Sequence, residues 1–351
     1  MRRRTFLTSV GVGATSGLAG CLVNDGNGSG EADVTIGIVY STGGLGDESF
    51  NDMANAGVEQ AVSEFDIAYE DAEPEEVGDM NEMQRQFARQ EDIDLVCCIG
   101  FDHQTDLEQN AAEFSDQQFM IVDSTVDADN VISYVFREHE GSFLVGQLAG
   151  MLTEIEYAHG GGESNPDESV VGFVGGRESS LIERFEAGYI AGAEHAVEGI
   201  DVQRAYAGSF NDSSTGQEIA NGMYNDGADV VYHSAGNTGG GVFESAQSNG
   251  RFAIGVDDDQ SISSESFSDV IVASMVKRVD NAVYESIQSV VEDSFEGGTT
   301  NDLGLEEEGV AAVIGQDFEG ELPEDVTSSL EESRQQIIDG EIDVPTTTDD
   351  S

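Results

Sequence analysis

The residues able to do chemistry in this 351-residue chain do not form a known catalytic motif. The five histidines lie far apart, and none belongs to an HExxH metal motif. Ser274-Met275-Val276-Lys277 matches the S-x-x-K of penicillin-binding enzymes, but those enzymes also need a K-T-G segment, which a chain with one lysine cannot supply. The triplet Asp257-Asp258-Asp259 lacks the spaced ligands and glycine turn of a calcium loop. We therefore expect a protein that is not an enzyme, with no catalytic residue, no metal and no cofactor.

The groups able to bind a small molecule follow runs of apolar residues that read as strands. These polar segments are Ser41–Asn51, Gly100–Asp102, Gly175-Gly176, Ser234–Gly239 and Gly255–Asp257. In open α/β sheets, ligands bind beyond the carboxyl ends of the strands. Glycines let backbone approach a ligand, helix N-termini offer free N–H groups, and carboxylates accept hydrogen bonds from hydroxyl groups. The pattern favours a small, neutral, hydroxyl-rich ligand, and any flat ligand must stack on Phe or Tyr because the chain has no Trp.

The elements that must position these groups alternate along the chain. Short runs rich in Val and Ile are each followed by a longer segment with one polar face, which is typical of a doubly wound α/β sheet. The predicted strands are Val34–Tyr40, Ile93–Ile99, Phe119–Asp123 and Ile132–Phe136, then Val170–Val174, Val202–Tyr206, Val230–His233, Ala253–Val256, Val270–Ser274 and Val310–Ile314. Helices are predicted between them, including Ser49–Phe65, a helix capped by Ser180-Leu181-Ile182-Glu183, one capped by Thr215–Glu218, Val276–Val291 and Pro323–Asp339.

The N-terminus reads as an export and anchoring signal. A twin-arginine motif, Arg3-Arg4-Thr5-Phe6-Leu7, precedes an apolar stretch that is too short to span a bilayer. The lipobox Leu18-Ala19-Gly20-Cys21 follows; the alternative, a spare cysteine, does not explain this order of signals. We expect residues 1–20 to be a signal peptide, residues 21–32 a flexible linker lipid-anchored at Cys21 on the outer face of the cell membrane, and residues 344–351 a disordered tail.

The charge of the chain excludes several partners. It carries 13 basic and 71 acidic residues, a net charge of −58, and only one of its basic residues is a lysine. Such a surface repels nucleic-acid phosphate and does not adsorb to an anionic membrane by charge. An acidic protein from an ordinary cell would normally retain many lysines. We interpret the composition as adaptation to concentrated salt, where repulsion is screened within ~3 Å at 1 M.

Five segments, in this order, resemble one known family. They are GGLGDESFN at Gly43–Asn51, FREHEGS at Phe136–Ser142, FEAG at Phe185–Gly188, HSAGNTG at His233–Gly239 and GVDDDQ at Gly255–Gln260. The chain from about Asp33 to Asp343 is similar to the basic membrane proteins, lipid-anchored solute-binding proteins of ABC importers, and within them to the purine nucleoside receptors. The resemblance implies a small nucleoside-like ligand, ABC permease and ATPase partners, and a monomer.

The same resemblance implies a type I periplasmic-binding-protein fold. Such a fold has two Rossmann-like lobes with a ligand cleft between them, and the chain crosses between the lobes three times. We expect the crossings near Arg137, Val272 and Thr300. The N-terminal lobe would then contain residues 33–137 and 272–300, and the C-terminal lobe residues 138–271 and 301–343.

The resemblance also implies site residues. In the nucleoside branch, the positions of Phe50 and Phe185 sandwich a purine, a carboxylate at Asp106, or alternatively Asp102, contacts the ligand, and Gly236 brings backbone close. Asp257 and Lys277 would bind the ribose hydroxyls. The first motif adds Asp47 and Asn51 as candidates. One departure is clear, because Ser41 stands where that branch has an aspartate that reads the base.

Each of these roles has a plainer alternative. Phe185 lies on an apolar helix face and fits a hydrophobic core, and Asp257 fits a turn cap. Because the chain has a single lysine, we expect Lys277 to have a specific role, and we place it at the start of a helix with Asp257 as its partner.

Three functions stay open: a nucleoside-binding protein of an ABC importer, an enzyme that hydrolyses or phosphorylates such a solute, and a sensory receptor using the same pocket.

Overall fold

A computed structural model describes residues 32–348 of the protein. The proposed signal peptide, Cys21 and nearly all of the linker lie outside the described residues, as do residues 349–351. The strands are β1 Val34–Val39, β2 Ile67–Ala72, β3 Leu95–Cys98, β4 Gln118–Val122, β5 Val131–Phe136, β6 Ala158–His159, β7 Gly162–Glu163, β8 Val170–Gly175, β9 Asp201–Tyr206, β10 Val230–Ser234, β11 Phe252–Asp257, β12 Ile271–Lys277, β13 Thr299–Leu303 and β14 Val310–Ile314. The helices are α1 Phe50–Glu64, α2 Met80–Ala88, α3 Gln104–Glu113, α4 Glu138–Thr153, α5 Ser180–Ala196, α6 Ser213–Asn225, α7 Gly240–Asn249, α8 Gln260–Ser263, α9 Val279–Val291 and α10 Glu324–Ile338.

Two six-stranded sheets form the two lobes. The first has the order β13-β5-β4-β3-β1-β2, and the second has the order β14-β12-β11-β10-β8-β9. All strands of the first sheet are parallel, and in the second only β14 runs antiparallel. Helices cover the sheets, so central strands are buried throughout, as in β3, which carries the free cysteines Cys97 and Cys98. The α/β prediction is confirmed.

The chain crosses between the lobes at places that differ in part from the expected ones. It leaves the first sheet after Phe136 and enters α4 of the second lobe. The run of residues 271–277 is β12, paired with β11 and β14, so the second crossing follows Lys277 rather than lying near Val272. Residues 301–303 belong to β13 in the first sheet, so the third crossing is near Gly304 rather than Thr300. A buried strand rich in Val and Ile fits either sheet by its sequence. Its pairing with strands that are distant in the chain decides which sheet it joins.

Several local predictions are also corrected. The helix caps lie earlier than expected: Ser179 accepts a hydrogen bond from the Ile182 N–H, and Asp212 accepts one from the Thr215 N–H. The tail is ordered to the end of the described residues. Val344 is 7% exposed and packs in the main core, and the backbone N–H of Thr348 donates to Glu183. The expected disordered tail 344–351 is therefore wrong for residues 344–348.

Helices α4 and α5 pack closely because glycines face the contact. A Cβ at Gly192 of α5 would lie 1.9 Å from the Phe143 carbonyl oxygen of α4, and one at Gly146 would lie 2.2 Å from the Tyr189 carbonyl oxygen. Only glycine permits this separation of the two backbones. The contact matters for the site, because α5 carries Phe185.

A cluster of charges ties the first and third crossings together. The Arg137 guanidinium contacts the carboxylates of Glu140, Asp302 and Glu307 at 2.9–3.3 Å. Glu140 also accepts a hydrogen bond of 2.8 Å from the backbone N–H of Leu305. These residues lie at the hinge and outside the cleft, so their role is structural.

Candidate ligand-binding cleft

A cavity lies between the lobes at the carboxyl ends of both sheets. It contains about 630 Å³ of space free of atoms, including the open solvent at its mouth. Eight of the nine expected ligand residues line it: Ser41, Asp47, Phe50, Asn51, Phe185, Gly236, Asp257 and Lys277. Other lining residues were not assigned individually from the sequence: Phe101 and Ser234 fall within the predicted polar segments, whereas Asp123, Leu181, Ile182 and Phe210 do not.

Lys277 lies at the inner end of the cavity and is only 2% exposed. Its Nζ donates to both carboxylate oxygens of Asp123, at 2.8 and 3.0 Å. Oxygens of Asp257 and Glu138 lie 3.9 Å from Nζ. Burial by itself would lower the pKa of Lys277, but the three carboxylates raise it above its ordinary value, so the side chain stays cationic. The lysine ends a strand instead of opening a helix, and its main partner is Asp123 rather than Asp257.

The two aspartates beside Lys277 share an unusual backbone conformation. Asp123 directly follows β4 of the first lobe with a φ of 65°, and Asp257 ends β11 of the second with a φ of 67°. Aspartate tolerates this left-handed region better than most residues, and such strain is concentrated at functional sites. Asp257 also accepts a 2.6 Å hydrogen bond from Ser49 of the opposite lobe. Burial raises the pKa of Asp257, while Lys277 acts to lower it.

Glu138 is a fully buried carboxyl group behind the cavity. Neither of its carboxylate oxygens has a hydrogen-bond partner within residues 32–348, and Arg184 approaches only to 3.8 Å. Burial raises the pKa of Glu138 to about 8, with Lys277 opposing the shift and Asp123 adding to it. Glu138 is not among the residues that the sequence predicts for the site, because nothing in the FREHEGS segment distinguishes it from its neighbours.

Two phenylalanines from opposite lobes form the aromatic walls. Phe50 begins α1, and Phe185 lies on α5. The Lys277 Nζ lies 4.8 Å from the Phe50 ring centroid and 5.5 Å from that of Phe185, so both rings border the same space. Phe50 is partly exposed to this space. Phe185 is 2% exposed and belongs to the main core, and it also lines the cavity, so its position is compatible with both the core and the ligand interpretation.

The loop before α1 is held by its own hydrogen bonds. The Asn51 side chain accepts from the backbone N–H and hydroxyl of Ser41, at 2.9 and 3.1 Å, and donates to Asp47 at 3.0 Å. Asp47 also accepts from the backbone N–H groups of Ser49, Asn51 and Asp52. Burial raises the pKa of Asp47 to about 6 despite these bonds. This network fixes the start of α1 and thereby aims Phe50.

The structure separates the two alternative carboxylates after β3. Asp106 lies on α3, accepts a 2.9 Å hydrogen bond from Asn81, and does not line the cavity. Asp102 lies in the turn directly after β3, lines the cavity, and forms an ion pair with Arg177 of the opposite lobe. The expectation for Asp106 is therefore corrected in favour of Asp102, because the first helical turn after β3 points Asp106 away.

Gly236 lines the cavity with a φ of 54°, a conformation that favours glycine. A Cβ there would lie 3.2 Å from the Phe210 carbonyl oxygen.

Within residues 32–348, no group of three or more His, Cys, Asp or Glu side chains is arranged to hold a metal ion. No helix in that part of the chain is both long and apolar enough to cross a membrane.

Comparison with known proteins decides the family. A family model described as ABC transporter substrate-binding protein PnrA-like, Bmp, matches residues 34–348. The chain belongs to the Bmp family. An ABC transporter nucleoside-binding protein of Lactococcus lactis is 30% identical to this Bmp protein over 368 residues, which cover 98% of this chain and 99% of the relative. An uncharacterized lipoprotein of Pyrococcus furiosus is 32% identical over 335 residues, covering 88% and 80%.

Solved structures agree with the family. An ABC transporter solute-binding protein of Aeropyrum pernix is 29% identical to this Bmp protein, with a TM-score of 0.78 over 90% of this chain and 94% of that one. The type I periplasmic-binding-protein fold implied by the motifs is confirmed. The protein is an ABC transporter substrate-binding protein.

Proposed function

We propose that this Bmp protein captures a purine nucleoside-like solute outside the cell and delivers it to an ABC permease and its ATPase. The main observation in support is that two phenylalanines from opposite lobes, Phe50 and Phe185, lie beside the buried Lys277 and its carboxylate partners. An aromatic ring on each side suits a flat base, because base–aromatic stacking contributes about 1–3 kcal/mol per base. The nucleoside-binding name of the Lactococcus relative supports the same ligand class.

The polar end of the cavity suits a sugar. Lys277 donates hydrogen bonds, and the carboxylates of Asp123 and Asp257 accept them, so ribose hydroxyls can satisfy both kinds of group. Even with Glu138 protonated, one cation beside the two ionised carboxylates of Asp123 and Asp257 leaves this end negative. A phosphate group would be repelled there. The proposed ligand is therefore a nucleoside and not a nucleotide.

The residues available to recognise the base differ at one position from those of the nucleoside branch. Ser41 replaces the expected aspartate, and its hydroxyl is already bonded to Asn51. Asp102 is then the carboxylate available to accept hydrogen bonds from base N–H groups on the first-lobe side. We expect base selectivity to depend more on Asp102 than on Ser41.

Capture requires the two lobes to close on the ligand. Besides Ser49 and Asp257, the seam holds a 2.8 Å hydrogen bond from the Gln260 side chain to the Glu48 carbonyl oxygen, and a contact of Ser264 with the Glu48 carboxylate. These bonds join the loop that precedes α1 to the end of β11 and to the segment around α8 in the other lobe. We propose that the closed monomer, held at the outer membrane face by a lipid on Cys21, then docks on the permease.

The ligand class is tested by mass spectrometry of the solute released from protein purified in high salt. Calorimetry with guanosine, adenosine, inosine, uridine, ribose and guanosine 5′-monophosphate then ranks the candidates. We expect purine nucleosides to bind and the monophosphate not to bind. Binding of ribose but of no nucleoside would contradict the nucleoside assignment. Release of free base or of a phosphorylated product during the same incubation would instead favour the enzyme alternative.

A further inference from the structure

Arg177 joins the two lobes at the cleft without lining the cavity. It follows β8 of the second lobe, and its guanidinium forms an ion pair with the Asp102 carboxylate of the first. Asp102 does line the cavity. Any effect of Arg177 on a ligand must therefore pass through the residues that it holds.

The guanidinium of Arg177 also lies between two rings from opposite lobes. Its central carbon is 5.6 Å from the centroid of Phe101 in the first lobe and 5.1 Å from that of Phe210 in the second. Both rings line the cavity. Gly176 makes this stack possible, since a Cβ there would lie 2.2 Å from the Phe210 ring. Opening the lobes would break the ion pair and separate Phe101 from the guanidinium.

The first-lobe side of this contact is rigid. His103, which follows Asp102 in the turn after β3, is fully buried. Its Nε2 lies 3.1 Å from the Tyr40 carbonyl oxygen, and its Nδ1 lies 2.9 Å from the Gln84 amide nitrogen. Burial lowers the pKa of His103 to about 4, so the ring is neutral at ordinary pH. Phe101 and Asp102 are thus presented to Arg177 in one fixed position.

The two parts of the contact respond differently to salt. Side-chain exposures of 34% for Arg177 and 16% for Asp102 make the ion pair open to screening, and concentrated salt weakens such pairs. A guanidinium stacked between two rings is attracted at close range by ring faces that carry no net charge, so screening affects it less. Arginine is also more weakly hydrated than lysine and is planar, which suits stacking.

We propose that Arg177 is a positioning residue that retains the ligand by clamping the closed cleft, chiefly through its stack between Phe101 and Phe210. The proposal rests on the proposed capture of a small solute in this cleft. Arg177 keeps Asp102 directed into the cavity and holds both rings as a cover over the bound solute. Its removal therefore accelerates release more than it slows entry.

Kinetic measurements test this role. Labelled guanosine and adenosine are chased with unlabelled nucleoside from wild type, Arg177→Gln and Arg177→Lys in 3 M KCl. We expect both variants to raise the dissociation rate by at least about ten-fold, with association changed less than about two-fold. Arg204→Gln is the matched control, because Arg204 pairs with Glu186 on the same lobe and does not line the cavity. Wild-type release from Arg177→Lys would overturn the role of stacking.

A second measurement does not depend on the ligand class. Nitroxides at Glu75→Cys and Ser214→Cys, both exposed and on opposite lobes, report the lobe separation by pulsed electron resonance in a Cys21→Ser background. The remaining cysteines, Cys97 and Cys98, are buried and escape labelling. We expect a longer and broader distance distribution for Arg177→Gln than for wild type or Arg204→Gln. An unchanged distribution overturns the clamp even if no nucleoside binds, whereas a shifted one with no nucleoside bound contradicts only the ligand class.

Discussion

The side chains around Lys277 explain why this position holds a lysine and not an arginine. Twelve of the thirteen basic residues are arginines, yet the one buried among three carboxylates is the lysine. A compact ammonium places its three N–H donors around one point, whereas a planar guanidinium needs a wider space. The strained aspartates on either side, from different lobes, fit the same view of a site built around one small cation.

Replacing Lys277 by Met should abolish ligand binding and also destabilise the protein. The lysine is buried and neutralises buried carboxylates, so its loss leaves those carboxylates without their cation. Removing one partner of such a group costs about 3–5 kcal/mol. Thermal unfolding and calorimetry of Lys277→Met and of Lys277→Met/Asp123→Asn check this. The double variant should regain stability but not binding; full binding by either protein would remove Lys277 from the site.

The two aromatic walls should respond differently to truncation. Phe50→Ala should weaken nucleoside binding by about 1–3 kcal/mol, the range of base–aromatic stacking, with a small loss of stability because the ring is partly exposed. Phe185→Ala should weaken binding and also cost about 3–5 kcal/mol of stability, because the ring fills the core. Titration calorimetry and denaturant unfolding separate the effects. Unchanged affinity in Phe50→Ala would exclude that ring from the site.

Glu138 should make stability depend on pH. Its pKa is raised to about 8 in the folded protein, mainly by burial, so the folded state holds this proton more tightly than the unfolded state. The contribution of Glu138 to the free energy of unfolding is fully present below the pKa that it has in the unfolded chain. This contribution is lost as pH rises through about 8. Glu138→Gln should therefore raise the melting temperature relative to wild type at pH 9 more than at pH 5. An equal difference at both pH values would contradict the shifted pKa.

At the residue scale, the sequence predicts the cavity residues that sit in distinctive motifs. Phe50, Asp257 and Gly236 lie in such segments, and the cavity includes them. Asp123 was missed because a single aspartate after a strand is common in so acidic a chain. Asp102 and Asp106 could not be separated, because the turn after β3 has to be known before either direction can be assigned.

Among the elements, strands with continuous apolar runs were predictable, whereas the two polar edge strands of the first sheet were not. β2 (IAYEDA) and β13 (TTNDL) lie at the two edges of the first sheet, where only one neighbour pairs with each and none of their residues is fully buried. Their short polar sequences resemble loops. β13 is fixed by pairing with β5, more than 160 residues earlier in the chain, which no local pattern reveals.

The close packing of α4 on α5 gives a prediction about elements. Gly192→Ala should cost about 1–3 kcal/mol, because the added carbon would collide with the Phe143 carbonyl oxygen. It should also weaken ligand binding, because displacement of α5 moves Phe185. Gly222→Ala on α6 is the control: nothing lies within 4 Å of its Cβ position, so it should stabilise the helix by up to about 1 kcal/mol. Equal stability of the two variants would contradict this account of the contact.

For the whole molecule, the net charge of −58 predicts a requirement for salt. Self-repulsion among the carboxylates falls as the Debye length shortens from about 10 Å at 0.1 M to about 3 Å at 1 M. The melting temperature should rise steeply with KCl, and compact structure should be lost below a few tenths molar. Circular dichroism and scattering from about 0.1 to 3 M KCl measure this. A flat melting temperature over that range would show that the acidic surface does not oppose folding.

The three crossings also constrain how the protein is made. β13 closes one edge of the first sheet, and β14 closes one edge of the second, so neither sheet is complete before residues 303 and 314 have been synthesised. A growing chain that ends earlier leaves β5 with an unpaired edge, a template for aggregation. Both lobes must therefore mature together, late in synthesis, through pairings between distant segments that form slowly. A premature stop before residue 299 would remove an edge strand from both sheets, and would therefore damage the lobe that begins the chain as well as the lobe that ends it.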